Sequence, residues 1–273
     1  MTATSQQQII EELGIREHFD ARQEIERRID FLADYLERTG TRALVLGISG
    51  GVDSTTTGRL CQLAVERVRE GGGEATFYAL RLPYGEQHDE DDAQMAIRYI
   101  RADRQLDINV KPTADALLES LEQSGLAFRD AHQRDFVHGN IKARARMMAQ
   151  YGVAGAHQGL VVGTDHGAEA VMGFFTKFGD GACDLIPLEG LNKRRVRALL
   201  SELGGPEALV NKVPTADLET LSPGRADEEA LGISYDQIDD FLEGKKIDAD
   251  AADLIIRTFD RTAHKRDVPR GPA

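Results

Sequence analysis

The sequence has few of the features that mark secreted, membrane or metal-thiolate proteins. Its 273 residues include only two cysteines, Cys61 and Cys183, with no CxxC motif, so a thiolate-bound metal is not expected. No window approaches the roughly 20 consecutive apolar residues of a membrane span. The first residues show no basic region followed by an apolar run, so we expect no secretory signal. These shortages predict a cytoplasmic protein without a membrane partner.

Positive charge is also scarce, since 33 Lys and Arg residues stand against 46 Asp and Glu residues and the net charge is −13. Such a field repels polyanions, so we expect no nucleic-acid partner. A small anionic ligand would require a local cluster of basic side chains and backbone amides. The chain shows no internal repeat or domain boundary, and its length allows a core without disulfides. We therefore predict a single domain over residues 1–273.

Apolar periodicity predicts helices that alternate with short strands. Residues 22–38 have apolar positions at helical spacing, and residues 43–48 form an apolar strand before a glycine turn and a helix capped by Asp53 or Ser54. Further strands are predicted at 76–82, 107–110 and 160–163, and further helices at 89–101, 114–123, 139–151, 192–203, 235–242 and 251–262. This order predicts an α/β fold, a doubly wound and mostly parallel sheet flanked by helices, with ligands at the carboxyl ends of the strands.

The segment SGGVDS, residues 49–54, lies between the first strand and its helix. Backbone N–H groups and the helix dipole make such a turn an anion site, and glycines allow phosphate to approach the backbone. An ordinary tight turn with a Ser or Asp cap is the alternative. The segment lacks the Gly-Lys-Ser/Thr of a Walker A loop and the GxGxxG of dinucleotide folds. It resembles the pyrophosphate loop of the N-type ATP pyrophosphatases, which cleave ATP to AMP and pyrophosphate.

Further segments choose among the members of that superfamily. GTDH at 163–166, GFFTKFGDG at 173–181, PTADL at 214–218, LGISY at 231–235 and HKR at 264–266 resemble the ammonia-dependent NAD synthetases. The resemblance covers nearly the whole chain. It implies an ATP-dependent carbon–nitrogen ligase of NAD biosynthesis, in which the carboxylate of nicotinic acid adenine dinucleotide (deamido-NAD) forms an adenylate that ammonia converts to NAD and AMP.

The same resemblance assigns roles to residues. Mg²⁺ is the implied cofactor, held by Asp53 and Glu169, and its preference for carboxylates and substrate phosphates agrees with that choice. Lys193 is expected to place its charge on phosphate during the reaction. The implied ATP site consists of Gly47, Ile48, Ser49, Gly50, Gly51, Val52, Asp53, Ser54, Arg81, Gln87, Thr164, Lys193 and Thr215.

A second group is implied for the dinucleotide: Arg144, Lys177, Asp184, His264 and Lys265. From the sequence alone, Arg144 lies on a basic helix face that solvation would explain equally well. Ammonia is largely protonated near neutral pH, so a group must accept a proton, and Asp180 is the candidate. An ordinary aspartate has a pKa near 4, so burial would have to raise it.

The resemblance further implies a homodimer with the dinucleotide site partly at its interface, for which helices 22–38 and 139–151 could each bury a face. We expect free ammonia as nitrogen donor, because the chain has no room for the amidase domain of glutamine-dependent relatives; whether a separate glutaminase supplies it stays open. Loops near 83–89 and 211–232 are expected to be mobile and to order over the nucleotides. The rivals are another ATP pyrophosphatase and a catalytically silent nucleotide sensor.

Overall fold

The computed structural model describes residues 4–85, 90–215, 218, 220–221, 224–269 and 271. Gln87 and parts of both expected mobile loops lie outside the described residues. The strands are β1 (Ala43–Gly47), β2 (Thr76–Arg81), β3 (Arg104–Asp107) and β4 (Gly159–Val161). The helices are α1 (Gln6–Glu12), α2 (Ala21–Thr39), α3 (Val52–Glu70), α4 (Glu90–Ile100), α5 (Lys111–Gln123), α6 (Ala131–Ala156), α7 (Gly167–Met172), α8 (Lys193–Glu202), α9 (Glu207–Val210), α10 (Asp227–Leu231), α11 (Tyr235–Leu242), α12 (Ala249–Arg261) and α13 (Ala263–Arg266).

The four strands form a parallel sheet in the order β3-β2-β1-β4. Ala43 pairs with Thr76 of β2 on one side and with Gly159 of β4 on the other. The chain winds outward from β1 to β3 and then crosses back to β4, so the winding direction changes between β1 and β4. In such folds ligands bind at this switch point, beyond the carboxyl ends of the strands. The predicted doubly wound α/β class is confirmed.

The alternation of side chains along β1 divides the core into two layers. Leu44 and Leu46 pack with residues of α2, α3 and α8 on one face of the sheet, whereas Val45 packs with α5 and α6 on the other. A third apolar cluster joins α1, α7, α11 and α12. This extra helical layer matters for the site because α7 and α11 carry polar residues toward the switch point.

Several predicted boundaries are confirmed, and two predictions are wrong. The third strand is Arg104–Asp107 rather than 107–110; it is an exposed edge strand, so it lacks the apolar pattern by which buried strands are found. Gly51, not Asp53 or Ser54, is the N-cap of α3. The side chains of Asp53 and Ser54 lie in the first turn of α3 and are therefore available for other contacts.

The apolar face of α2 is buried within the chain, since Ile25, Ile29, Leu32 and Leu36 belong to the first core layer. This face packs beside α3 and α8 and is not available to a second copy. Helix α6 is longer than expected, at 26 residues, and its polar first turns explain why periodicity located only its middle. No helix of the described part of the chain combines the length and apolar character needed to cross a bilayer.

Gly50 allows the loop before α3 to approach α4 closely. Its φ is +84°, and a Cβ at this position would lie 2.6 Å from the backbone nitrogen of Ala93. Gly72 has a similar φ of +88° with nothing within 4 Å of the corresponding position. A side chain at Gly72 would therefore meet only backbone strain, whereas a side chain at Gly50 would meet the same strain and also a clash with α4.

We expect Gly50→Ala to destabilise the protein more than Gly72→Ala. A left-handed conformation costs a non-glycine residue about 1–2 kcal/mol, which applies to both variants, whereas only Gly50→Ala must also displace the α4 backbone. Urea denaturation should give a loss of unfolding free energy for Gly50→Ala at least twice that of Gly72→Ala. Equal losses would show that the contact with α4 can relax without cost.

Candidate active site

A cavity of about 560 Å³ opens at the switch point, beyond the carboxyl ends of β1, β2 and β4. Its walls come from the loop before α3, from α6, from residues 162–182 and from residues 212–215. Predicted site residues that line it are Gly47, Ile48, Ser49, Gly51, Val52, Asp53, Ser54, Arg81, Thr164, Glu169, Asp180, Lys193, Thr215 and Lys265. The position is the one that the doubly wound fold predicts.

The loop before α3 is shaped to receive an anion. Val52, Asp53 and Ser54 occupy the first turn of α3, where backbone N–H groups have no carbonyl acceptor within the helix. The hydroxyl oxygens of Ser49 and Ser54 lie 3.1 Å apart. Helix α8 also begins at the cavity, so the positive ends of two helix dipoles meet there.

Lys193 and Asp53 form a buried ion pair at the centre of this end of the cavity. The Nζ of Lys193 donates to Oδ2 of Asp53 at 2.8 Å, and Lys193 is only 1% exposed. Lys193 is the first residue of α8, and its backbone N–H donates to the carboxylate of Asp239 on α11 at 3.1 Å. Asp53 therefore serves the cavity rather than a helix cap.

A candidate metal site lies beside the ion pair. Asp53, His166 and Glu169 each point one ligand atom to a common region, with these atoms within 4.8 Å of one another. Oδ1 of Asp53 and Nε2 of His166 are buried and lie 3.4 Å apart, and neither makes a hydrogen bond of good geometry among the described residues. Two carboxylates beside a cavity that can accept phosphate are the kind of donor set that Mg²⁺ prefers.

The carboxylates of this region have unequal proton affinities. Burial alone would raise the pKa of Asp53, but Lys193 and His166 outweigh it and hold that pKa well below its usual range. Oε1 of Glu169 lies 3.7 Å from Nε2 of His166, but here burial outweighs the nearby cations. It raises the pKa of Glu169 to about 8 although His166 and Lys193 oppose the rise. Around Lys193 and His166 there are thus more carboxyl groups than these two side chains can neutralise.

Asp180 on the cavity wall and the neighbouring Asp165 form a second acidic group. Asp180 is accessible from the cavity, and its Oδ1 accepts the N–H of Thr176 at 3.0 Å. Asp180 remains exposed to solvent at the cavity, and partial desolvation by the surrounding protein raises its pKa. Burial and the neighbouring Asp180 together raise the pKa of Asp165 to about 8. Asp165 and His166 both belong to the GTDH motif at 163–166, which indicated the family but did not mark either residue as part of the site.

The residues expected to bind the dinucleotide lie in two groups. Arg144 donates to the carbonyl of Lys177 at 3.1 Å, and Lys177 Nζ donates to the carbonyls of His264 and Asp267. These residues lie together outside the residues that line the cavity. Asp184 is elsewhere, where it accepts the backbone N–H of Val161 at 2.7 Å.

Lys265 connects the dinucleotide group to the cavity. It lines the cavity wall, its Nζ donates to the carbonyl of Gly173, and it lies 4.8 Å from the ring centre of Phe175. Of the remaining predicted residues, Gly50 lies behind the cavity against α4. Gln87 lies outside the described residues.

A phosphate-binding loop at the switch point, opposite a buried lysine and two convergent carboxylates, defines an ATP pyrophosphatase of the N type. The NAD synthase family model matches residues 24–269. The chain belongs to the NAD synthase family, as its motifs predicted. It is accordingly an ATP-dependent ligase of NAD biosynthesis.

Individual relatives agree with this assignment. The chain is 64% identical over 267 residues to an NH3-dependent NAD+ synthetase of Streptomyces coelicolor, covering 98% of this chain and 97% of the relative. The crystal structure of NAD+ synthetase from Burkholderia pseudomallei superposes with a TM-score of 0.84 at 59% identity, covering 97% and 96% of the two chains. An NMN synthetase from Francisella tularensis superposes with a TM-score of 0.81 at 32% identity, covering 93% and 99%.

Glu169→Gln should stabilise the protein in the absence of metal. A carboxyl with a raised folded-state pKa binds its proton more tightly folded than unfolded, so wild type loses stability as pH rises from about 4.5 to about 8. The variant lacks this group. We expect its advantage in unfolding free energy to be absent below pH 4.5 and on the order of 5 kcal/mol above pH 8.

Denaturation in EDTA across this pH range measures the difference. Glu119→Gln, at an exposed position of α5, is the matched control because it removes one negative charge away from the cavity. Added Mg²⁺ should stabilise wild type more than Glu169→Gln. A variant that is less stable than wild type at pH 8 in EDTA would contradict this description of the site.

Proposed function

We propose that this protein amidates deamido-NAD with ATP and free ammonia, through an adenylate of the nicotinate carboxylate. A carboxylate oxygen attacks the α-phosphorus of ATP, the bond to the β-phosphate oxygen breaks, and pyrophosphate leaves. Ammonia then attacks the activated carbonyl, AMP leaves, and one proton is lost. The observation that carries the proposal is a single cavity lined by the phosphate loop, by the Asp53–Lys193 pair and by Lys265. Lys265 follows His264 in the chain, and His264 accepts a hydrogen bond from Lys177 through its carbonyl.

In this proposal the loop 49–54 and Lys193 bind the departing phosphates. Free N–H groups at the start of α3 supply donors, and Lys193 supplies a positive charge that needs little reorganisation because the side chain is already held. Thr164 and Thr215, which both line the cavity, add hydroxyl donors. Arg81 and Gln87 are proposed for the adenine and ribose side. Arg81 lines the cavity, and hydrogen bonds to the carbonyl of Ile48 and to Glu90 hold its side chain.

Asp53 and Glu169 would hold Mg²⁺ in this proposal. The ion supplies positive charge that offsets repulsion between the two anionic substrates. Oδ1 of Asp53, which lies 3.4 Å from Nε2 of His166, is the oxygen proposed for the ion, because Oδ2 accepts the hydrogen bond from Lys193. The pair with Lys193 therefore orients Asp53 as well as the lysine.

Asp180 is our candidate to accept the proton of ammonium. Its access to the cavity and the rise of its pKa with burial support that role, since a base is most effective when its pKa lies near the working pH. Arg144, Lys177, Asp184, His264 and Lys265 are proposed to bind the dinucleotide. Asp184 has the weakest support, because its carboxylate is engaged by the backbone of Val161.

We also propose that the chain acts in the cytoplasm as one domain, with loops near 83–89 and 211–232 closing over bound nucleotides. Cys61 and Cys183 are both free, in keeping with a reducing compartment. Closure would exclude water from the adenylate, which otherwise hydrolyses. Limited proteolysis with and without nucleotides addresses the loops.

A homodimer is proposed through α6. This helix exposes three large apolar residues, Phe136 at 58%, Met148 at 48% and Tyr151 at 36%. Phe136 also lines the cavity, whereas Met148 and Tyr151 are three residues apart on one face. We expect sedimentation velocity to show a dimer that Met148→Asp dissociates, because an unpaired carboxylate is costly at an interface. Leu117→Asp, at a residue of α5 that is 44% exposed, is the control and should leave the dimer intact. A monomeric wild type would contradict the proposal.

The activity is tested by product analysis with MgATP and deamido-NAD. We expect NAD, AMP and pyrophosphate in equal amounts with ammonium and none with glutamine as nitrogen donor. Nicotinic acid mononucleotide is tested in parallel because one structural relative is an NMN synthetase. Amidation of the mononucleotide alone would overturn the choice of substrate, and ATP binding without turnover would favour a nucleotide sensor.

A further inference from the structure

Tyr235, the first residue of α11, lies under the ammonium group of Lys193. The Nζ of Lys193 is 4.8 Å from the centre of the Tyr235 ring. Tyr235 is buried at 4% exposure, and its ring centre is 6.5 Å from that of His166. The Tyr235 ring therefore lies next to Lys193, which is expected to bind phosphate, and close to His166 of the candidate metal site.

The ring of Tyr235 is itself fixed at both ends. Its hydroxyl donates to Oδ2 of Asp227 at 3.0 Å, and its backbone N–H donates to Glu228 at 2.8 Å. Ser234 caps the helix with a reciprocal hydrogen-bond pair to Gln237. Asp227 lies in α10, at the end of the segment 211–232, so this segment continues directly into the support of Lys193.

Helix α11 holds Lys193 from two directions. The Asp239 carboxylate accepts the backbone N–H groups of Lys193 and Arg194, which fixes the start of α8. Tyr235 meets the far end of the same side chain. A lysine has a flexible four-carbon stem and loses considerable rotamer entropy when held, so two supports leave its charge close to one position.

We propose that Tyr235 is a positioning residue for the adenylation step, holding the Lys193 ammonium group over its ring where the phosphates bind. The ring attracts the cation through its negative face, an interaction that strengthens where water is excluded. The hydroxyl keeps the ring in place through Asp227. This inference rests on the proposed function, since it concerns how Lys193 serves the departing pyrophosphate.

A purely structural role for Tyr235 makes a different prediction. If the ring only filled the core, Tyr235→Leu would be well tolerated, and any loss of activity in the variants would be proportional to the loss of stability. If the ring positions Lys193, Tyr235→Phe should preserve most activity, because it keeps the aromatic face, although it leaves Oδ2 of Asp227 without its donor. Stability and activity would then separate.

The experiment compares Tyr235→Leu, Tyr235→Phe and Phe241→Leu. Phe241 is a buried residue of the same helix in the apolar cluster with α1, α7 and α12, so its truncation matches the loss of core volume. We expect kcat/KM for MgATP to fall about 10- to 30-fold in Tyr235→Leu and to stay within about threefold in the other two. The KM for deamido-NAD should change by less than about twofold in all three.

A double-mutant cycle then combines Tyr235→Leu with Lys193→Met. The affinity for MgATP is measured by calorimetry for wild type, both single variants and the double variant. Tyr235→Leu should weaken binding about 10-fold in wild type and leave it nearly unchanged when Lys193 is absent. Equal losses in both backgrounds, or similar losses of kcat/KM in Tyr235→Leu and Phe241→Leu, would overturn the inference. A wild type that forms no NAD would instead refute the proposed function, so the two failures are distinguishable.

Discussion

The buried contact between Asp53 and Lys193 is the interaction around which the site is organised. The two residues are 140 positions apart in sequence and lie in the first turns of α3 and α8. Core packing between these helices and the sheet brings both helix starts to the switch point. The pair thus connects the phosphate loop to the second half of the chain, and Asp239 and Tyr235 of α11 support it from behind.

That pair does not neutralise its surroundings. Glu169, Asp165 and Asp180 all have pKa values raised by burial, and Asp227 behaves in the same way. Placing several carboxylates close together in a partly buried site opposes folding unless they are protonated or meet a cation. Under the proposed function, Mg²⁺ would lower this cost and would also reduce the repulsion between these carboxylates and the anionic nucleotides.

Sequence reasoning found the parts of the molecule that rest on local patterns. The strand, glycine turn and helix around residues 43–70 were predicted from apolar runs and glycine, and the motifs led to Asp53, Glu169 and Lys193 as members of one site. The bounds of the edge strand β3 were not predicted correctly, because an exposed strand has no apolar pattern. The helical layer formed by α1, α7, α11 and α12 was not predicted either, since its packing depends on contacts between distant segments.

The side chains that surround the ion pair could not be predicted for a related reason. His166 is one of seven histidines, and only its approach to Asp53 in the folded chain sets it apart. Tyr235 stands at a predicted helix start within the LGISY motif, and no sequence pattern singles out Asp227. Their roles come from tertiary contacts, whereas the i, i+3 spacing of His166 and Glu169 on one turn is a signal that the sequence did offer.

The most direct measurement of this account is the proton balance of MgATP binding. Calorimetric titrations near pH 7, in buffers of different ionisation enthalpy, report the protons exchanged on binding. Because the pKa of Glu169 is about 8 before a cation arrives, we predict release of about one proton per site, absent in Glu169→Gln. Heats that do not depend on the buffer would contradict the claim that the bound cation neutralises a protonated, buried carboxyl group.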